Sequence, residues 1–203
     1  MQTKDQSFFS NKELSVLFDL EIFPIKRMAT EKLFEIFGKT IESIKDTAIH
    51  KNFTFPDGTD CTTGKITKGE NYLGYPYVVL DFPKLFLKDS VFCFRTLFWF
   101  GHYFTCSLII GGKVLDLYEE NFLKNRMQLH HQNILFALDK NPWSHQAEEP
   151  NQILIEKLSD HDLKTHIHVT GYLKFSHKFI ETEPESFSKI CTDNYEKILR
   201  ILL

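Results

Sequence analysis

A short stretch rich in histidine and aspartate is the first candidate for chemistry in this sequence. Its histidines and aspartates are Asp160, His161, Asp162, His166 and His168. If the stretch forms a β-strand, His166 and His168 share a face, because alternate residues of a strand point the same way. Together with His161 or an aspartate they could hold a divalent metal that activates water, which predicts a metal-assisted hydrolase. The alternative is two exposed histidines on a wet strand, and no HExxH signature is present.

Arg95, which lies within an apolar stretch, is the second candidate. A guanidinium among apolar neighbours needs an acceptor, and Asp81 is the nearest carboxylate on the preceding predicted strand. One interpretation is an ion pair that holds two strands together, or an edge arginine that reaches solvent. The other is an anion clamp at the floor of a pocket ringed by Trp99 and Phe104. Arg95, Trp99, Phe104 and Asp81 are therefore the predicted ligand-binding residues.

No motif in this chain indicates nucleophilic catalysis or phosphate binding. The sequence lacks a GxSxG elbow, and its four cysteines show no CxxC spacing. Gly64, Gly69 and Gly74 match neither the Walker pattern nor GxGxxG at the start of a helix. We expect reduced, mostly buried thiols, and we expect no cofactor.

The apolar stretch 91–112 is predicted to form the central hairpin of the fold. Its two strand-like runs are separated by Gly101-His102, which predicts a two-residue loop. In the register that this loop implies, Trp99 lies opposite Phe104 and both point to one face. Because both faces of the hairpin are largely apolar, we expect both of them to be covered.

The remaining patterns predict an α+β fold with a mostly antiparallel sheet, packed by N-terminal and C-terminal helices around a central hairpin at 91–110. The predicted strands are 64–68, 76–82, 91–100, 103–110, 133–138 and 166–180. Ser10 and Glu13 have the spacing of a capping box, residues 33–48 have a helical apolar period, and Pro184 suits a helix start.

Two further segments carry predictions of their own. Residues 166–180 alternate in polarity, which predicts a strand with Lys174 on its wet face. Residues 139–151 are predicted to form a surface loop that Trp143 anchors.

Composition restricts the class of protein. The 203 residues, of which 42% are hydrophobic, suffice for one core, so we expect a single globular domain over 1–203. A net charge of −3 gives no reason to expect a nucleic-acid partner. The sequence shows neither a signal peptide nor an apolar run of membrane-spanning length, so we expect a cytoplasmic protein without a membrane partner.

The surplus of aromatic side chains decides between the two functional hypotheses. The chain contains 20 phenylalanines and no catalytic signature. The leading hypothesis is therefore a non-enzymatic protein that binds a small apolar ligand or a protein partner through an aromatic-rich sheet face or cavity. The partner could be a second copy of the chain, in a homodimer. The alternative is the metal-assisted hydrolase of the histidine stretch.

Overall fold

The computed structural model describes residues 8–203. Those residues divide into two compact units, one ending at Glu35 and the other running from Ile36 to Leu203. Each unit is described by itself below. The single domain expected over residues 1–203 stays a prediction.

The first unit contains helix α1 (Asn11–Leu17) and the start of helix α2 (Ile22–Asp46). At the start of α1, the backbone N–H of Glu13 donates to the Ser10 hydroxyl at 3.3 Å. The Glu13 carboxylate in turn accepts from the Ser10 backbone N–H at 2.7 Å. Two of the four backbone donors that a helix start leaves free are thus satisfied, which confirms the predicted capping box.

The second unit is built on an antiparallel sheet. Among the described residues it has seven strands, in the order β1-β2-β3-β4-β7-β5-β6. The strands are β1 (Lys65–Tyr72), β2 (Tyr75–Leu87), β3 (Ser90–Trp99), β4 (Phe104–Gly112), β5 (Ile134–Ala137), β6 (Gln152–Leu154) and β7 (Tyr172–Phe179). The predicted α+β class and the central position of the β3–β4 hairpin are confirmed.

Four further helices of this unit lie before, between and after these strands in the sequence. They are α3 (Ala48–Asn52), α4 (Leu115–Asn125), α5 (Asp160–Thr170) and α6 (Pro184–Arg200), with 3₁₀ turns at Arg126–Leu129 and Ile155–Lys157. The predicted C-terminal helix starts at Pro184, where proline costs no hydrogen bond because the first N–H groups of a helix have no partner within it. Within residues 8–203, no helix is long and apolar enough to cross a lipid bilayer.

The hairpin register differs by one residue from the predicted one. Phe98 pairs with Phe104, because the loop has three residues rather than two. The Trp99 N–H donates to the Tyr103 carbonyl at 3.0 Å, and Gly101 adopts a positive φ of 75° inside the loop. A slip of one residue moves every side chain of β4 to the other face of the sheet. The expected pairing of Trp99 with Phe104 is therefore wrong.

The predicted strand 166–180 is wrong in its first part, which is helical. Helix α5 begins at the N-cap Ser159, whose hydroxyl accepts from the Asp162 N–H at 3.1 Å. It ends at Gly171, which caps it in the left-handed conformation with a φ of 70°. The capping box and the glycine cap therefore fix a helix up to Thr170, and β7 starts only after Gly171.

One face of the sheet, which we call the helix face, is packed by α6. The Phe94 ring of β3 meets Tyr195 edge to face at 5.1 Å, and Phe104 of β4 meets Phe187 at 4.7 Å. The sulfur of Cys106 lies 3.0 Å from that of Cys191. These side chains are buried, so this face is an apolar core with close-packed rings.

Residues 138–151 cover the opposite face of the sheet. This segment, which we call the strap, contains no helix or strand and corresponds to the predicted surface loop. Trp143 packs over the guanidinium of Arg95 at 4.7 Å from its Cζ and against Phe86 at 5.7 Å. The predicted role of Trp143 as the anchor of the loop is confirmed, and we call the sheet surface beneath it the strap face.

Candidate ligand-binding cleft

A bidentate ion pair lies on the strap face. Arg95 Nε donates to Asp81 Oδ1 at 2.7 Å, and Arg95 Nη2 donates to Asp81 Oδ2 at 2.9 Å. The two residues are direct partners across β2 and β3, so the pair holds adjacent strands together. Only 16% of the Arg95 side chain and 4% of the Asp81 side chain are exposed. The predicted Arg95–Asp81 pair is confirmed.

The pKa of the guanidinium reflects two opposing causes. Burial lowers the pKa of Arg95, but the hydrogen bonds and the negative charge of Asp81 raise it by more, so the net direction is upward. Cys93 Sγ donates to the same carboxylate at 3.2 Å, and burial raises the pKa of that thiol well above its ordinary value. Asp81 therefore accepts three hydrogen bonds, and Cys93 stays protonated.

The ion pair belongs to a polar row that crosses the sheet. Ser107 lies opposite Arg95 on β4, and Ser176 lies opposite Ser107 on β7. The Ser107 hydroxyl donates to the Ser176 hydroxyl at 2.9 Å, and both side chains are buried. The row therefore places polar side chains next to one another on β2, β3, β4 and β7 beneath the strap.

Lys174 lies beside this row, two residues before Ser176, and is buried. Its Nζ donates to the backbone carbonyl of Ser144 in the strap at 2.6 Å. Burial lowers the pKa of Lys174 to about 7, the charge of Arg95 acts in the same direction, and Asp139 opposes them. The prediction that Lys174 faces solvent is wrong, because the strap covers this part of β7.

The strap is held to the sheet by side chains that bond its backbone. The Tyr103 hydroxyl accepts from the Ala147 N–H at 2.8 Å, and the Tyr72 hydroxyl accepts from the His145 N–H at 3.1 Å. The Tyr172 hydroxyl donates to the Asp139 carbonyl. The strap pairs some of its own backbone groups, such as the Ser144 N–H with the Asn141 carbonyl, and these side chains satisfy others that regular secondary structure would have paired.

An open cleft of about 590 Å³ lies between the strap and strands β1 to β3. Its aromatic walls are formed by Tyr72, Tyr77, Phe86, Trp143 and His145, and Arg95 and Asp81 also line it. This volume falls within the range of small-molecule pockets. We call it the strap cleft.

His145 is the imidazole of the cleft wall. Its ring lies 4.2 Å from the Tyr72 ring and 4.5 Å from the Tyr77 ring. Burial lowers the pKa of His145 to about 4, and the positive charges of Arg95 and Lys174 act in the same direction. The imidazole is therefore neutral at pH 7, and its environment disfavours additional positive charge.

The structure brings together two of the four predicted ligand-binding residues. Asp81 and Arg95 line the strap cleft, whereas Trp99 is 4% exposed in the core beneath the strap, where it stacks on His102 at 3.6 Å. Phe104 lies on the helix face against α6. The predicted pocket ringed by Trp99 and Phe104 is not formed, because the hairpin register places these two rings on opposite faces.

The sequence did not indicate three of the residues that shape the cleft, Tyr72, Tyr77 and His145. Trp143 was the available signal, since a large ring in a polar loop needs a surface on which to pack. Which surface it would use could not be read from the chain, because β1, β2 and the strap are far apart in sequence.

The histidine stretch does not have the geometry that a metal site requires. His166 and His168 lie on α5, where residues two apart point to different sides because a turn has 3.6 residues. His166 is half-buried near Phe136 and Tyr172, whereas His161 and His168 are exposed. Across residues 8–203, no group of three or more His, Cys, Asp or Glu side chains could hold a metal ion.

Fold and site together define an α+β protein with an antiparallel sheet, one face packed by a helix and the other covered by an irregular strap that borders a cleft. Comparison with known protein families, with curated proteins and with solved structures gave no match in any of the three.

Proposed function

We propose that this protein is a non-enzymatic binding protein that takes a small, flat, largely apolar ligand in the strap cleft. The observation that carries the proposal is the cleft itself, whose walls are aromatic rings from both the sheet and the strap. Aromatic walls of this kind supply large contact areas with little loss of side-chain freedom.

The rigidity of the walls supports binding rather than general stickiness. Trp143 is fixed between Arg95 and Phe86, and His145 is fixed between Tyr72 and Tyr77. A wall that is already ordered loses little conformational freedom when a ligand arrives, so more of the contact energy contributes to affinity.

A neutral, environment-sensitive dye tests this proposal. We expect N-phenyl-1-naphthylamine to bind with one-to-one saturation and a rise in its fluorescence. Trp143→Ala should weaken binding at least tenfold, since it removes the wall over Arg95. Tyr75→Ala is the matched control, because Tyr75 is an exposed aromatic residue that does not line the cleft. Absence of saturable binding, or equal losses in the two variants, would overturn the proposal.

We also propose that the protein forms a homodimer through the first unit. The supporting observation is that this unit exposes large apolar side chains, with Phe8 92%, Phe18 78%, Leu20 88% and Phe23 57% exposed. Several large apolar side chains exposed within one short segment are the kind of surface that self-association would cover.

Sedimentation velocity tests the homodimer at tens of micromolar protein. We expect a species of twice the chain mass of 23.9 kDa. The Phe18→Ser and Leu20→Ser double variant should sediment as a monomer. Leu117→Ser, which changes an equally apolar side chain on α4 that is 61% exposed, should leave the dimer intact. A wild-type protein that sediments only at the monomer mass contradicts the proposal.

We propose a cytoplasmic location without a nucleic-acid partner. Two properties support it. The four cysteines are free thiols, which suits a reducing compartment, and the net charge of −3 does not favour polyanions.

A further inference from the structure

We propose that the ligand of the strap cleft is an aromatic acid, whose anionic group binds at Arg95 while its ring packs against the aromatic walls. This inference rests on the proposed binding function and adds the chemical class of the ligand. The ion pair with Asp81 has a structural role, but it uses only two of the three guanidinium nitrogens. The inference concerns the third nitrogen.

The hydrogen bonds of Arg95 leave one of its nitrogens available. Nε and Nη2 are both used by Asp81, and no residue in the described part of the chain accepts a hydrogen bond from Nη1. The indole of Trp143 covers the group at 4.7 Å from Cζ, yet 16% of the side chain remains exposed and lines the cleft. A guanidinium donor beside an aromatic wall suits a carboxylate attached to a flat ring.

The charges around the cleft favour an anion over a neutral molecule or a cation. Of the lining residues, all of which belong to the described part of the chain, Asp81 alone is acidic, and Arg95 neutralises it. Lys65 also lines the cleft, directly opposite Asp81 on β1. The positive charge is therefore in excess where a ligand would sit, and so a bound anion would be attracted.

The charge of Arg95 also reaches the cleft wall at His145. Burial is the main cause that lowers the pKa of His145, the charges of Arg95 and Lys174 add to it, and Asp81 opposes them. The guanidinium therefore favours an anion over a cation in this part of the cleft.

The size of the cleft is sufficient for a ring system of one or two rings. A volume of about 590 Å³ lies in the lower half of the range for small-molecule sites. Tyr77 from the sheet and Trp143 from the strap line the cleft with ring surfaces, and Arg95 lies beside Trp143.

Two matched probes separate this inference from the proposed function. We expect 2-naphthoate, measured by isothermal titration calorimetry at pH 7.5, to bind at least about tenfold more tightly than the neutral isostere 2-naphthamide, because its charged acceptor makes a stronger bond to the guanidinium than an amide oxygen does. Equal affinities would overturn the acid class while the binding function stands. Binding of neither probe would overturn both.

A variant of the ion pair provides the second test, and its folded state is checked by circular dichroism before titration. Asp81→Asn keeps a side chain of similar shape and one of the two acceptor oxygens but removes the competing charge, so we expect 2-naphthoate to bind about tenfold more tightly and to gain more than 2-naphthamide does. Asp60→Asn is the matched control, because it removes a carboxylate from the 2.6 Å ion pair with Lys84, and Asp60 does not line the cleft. An unchanged affinity in Asp81→Asn, or the same gain in both variants, would overturn the inference.

Discussion

The helix face of the sheet is covered by α6 through rings and thiols, whereas the strap face is covered by residues 138–151, which contain no helix or strand. Both faces are largely buried, yet their chemistry differs. On β3 and β4, Phe94 and Cys106 point to the helix face, whereas the residues that follow them, Arg95 and Ser107, point to the strap face.

The physical reason for this difference lies in the backbone of the covering segment. A helix satisfies its own N–H and C=O groups, so the surface beneath α6 can be apolar. An irregular strap satisfies only some of its own groups, so the face beneath it supplies further donors and acceptors such as the hydroxyl of Tyr103 and the amine of Lys174. Polar side chains on the strap face therefore have a structural role. The candidate ligand site uses the part of the Arg95 guanidinium that the ion pair does not occupy.

The largest expected effect is a truncation on the helix face. Phe94→Ala removes a ring that is 1% exposed and packs on Tyr195, so we expect a loss of about 4 kcal/mol in the free energy of unfolding, measured with urea. Phe98→Ala is the matched control, since Phe98 lies on the same face of β3 but is only partly buried, and it should cost less. Equal losses would mean that the helix face is not close-packed at Phe94.

A charge change on the strap face should have the next largest effect. Arg95→Met leaves the buried Asp81 carboxylate without its counter-ion, so we expect a loss of about 3 kcal/mol in the free energy of unfolding. Adding Asp81→Asn to this variant should recover part of the loss, because the unpaired charge is gone. If the two substitutions are additive in denaturant titrations, the ion pair contributes no coupling.

The buried amine of Lys174 predicts a pH dependence that arises on the strap face. Burial lowers its pKa to about 7, against about 10.4 in an unfolded chain, so the folded state binds fewer protons between these values. The free energy of unfolding should therefore rise with pH, by about 1.5 kcal/mol between pH 7 and 8.5. Arg95, which acts with burial, and Asp139, which opposes it, are the charges that affect this amine.

Above pH 8.5 the thiols of the core act in the opposite direction. The pKa values of Cys93 and Cys191 are raised by burial, so the unfolded state loses these protons first and stability falls. Comparing wild type with Lys174→Met isolates the amine, and the variant should lose the rise between pH 7 and 8.5. A rise that persists in the variant would assign the effect to another group.

The smallest expected effect concerns one hydrogen bond of the strap. Tyr103→Phe leaves the buried N–H of Ala147 without its acceptor, so we expect a loss of about 1 kcal/mol in the free energy of unfolding. Amide exchange at Ala147 should accelerate at the same time. Tyr75→Phe, which changes an exposed tyrosine, should alter neither quantity. Unchanged exchange in Tyr103→Phe would show that this bond does not hold the strap.

The histidine stretch shows why one local pattern can mislead. Apolar residues at 167 and 169 satisfy a strand period, but Leu163 and Ile167, both buried on α5, satisfy a helical one. The deciding signals were the capping spacing of Ser159 and Asp162 and the terminating Gly171. These end signals were present in the sequence and would have predicted a helix.

Local chemistry by itself determined the fold class, the capping box at Ser10 and Glu13, the existence of the central hairpin and the pairing of Arg95 with Asp81. Each of these depends on neighbours in sequence or on the rule that a buried charge needs a partner. The exact hairpin register did not follow, because a loop of two or three residues at Gly101 fits the same pattern and only packing on both faces selects one.

Only the tertiary structure decided that Lys174 is buried and that a cleft borders the strap. The bonds that hold the strap join residues between 30 and 73 positions apart in the chain. A lysine on an alternating strand faces water unless something covers it, and nothing near Lys174 in sequence specifies a cover. The position of Trp143 over Arg95 brings that cover into place, because packing the indole on the guanidinium and on Phe86 removes apolar surface from water.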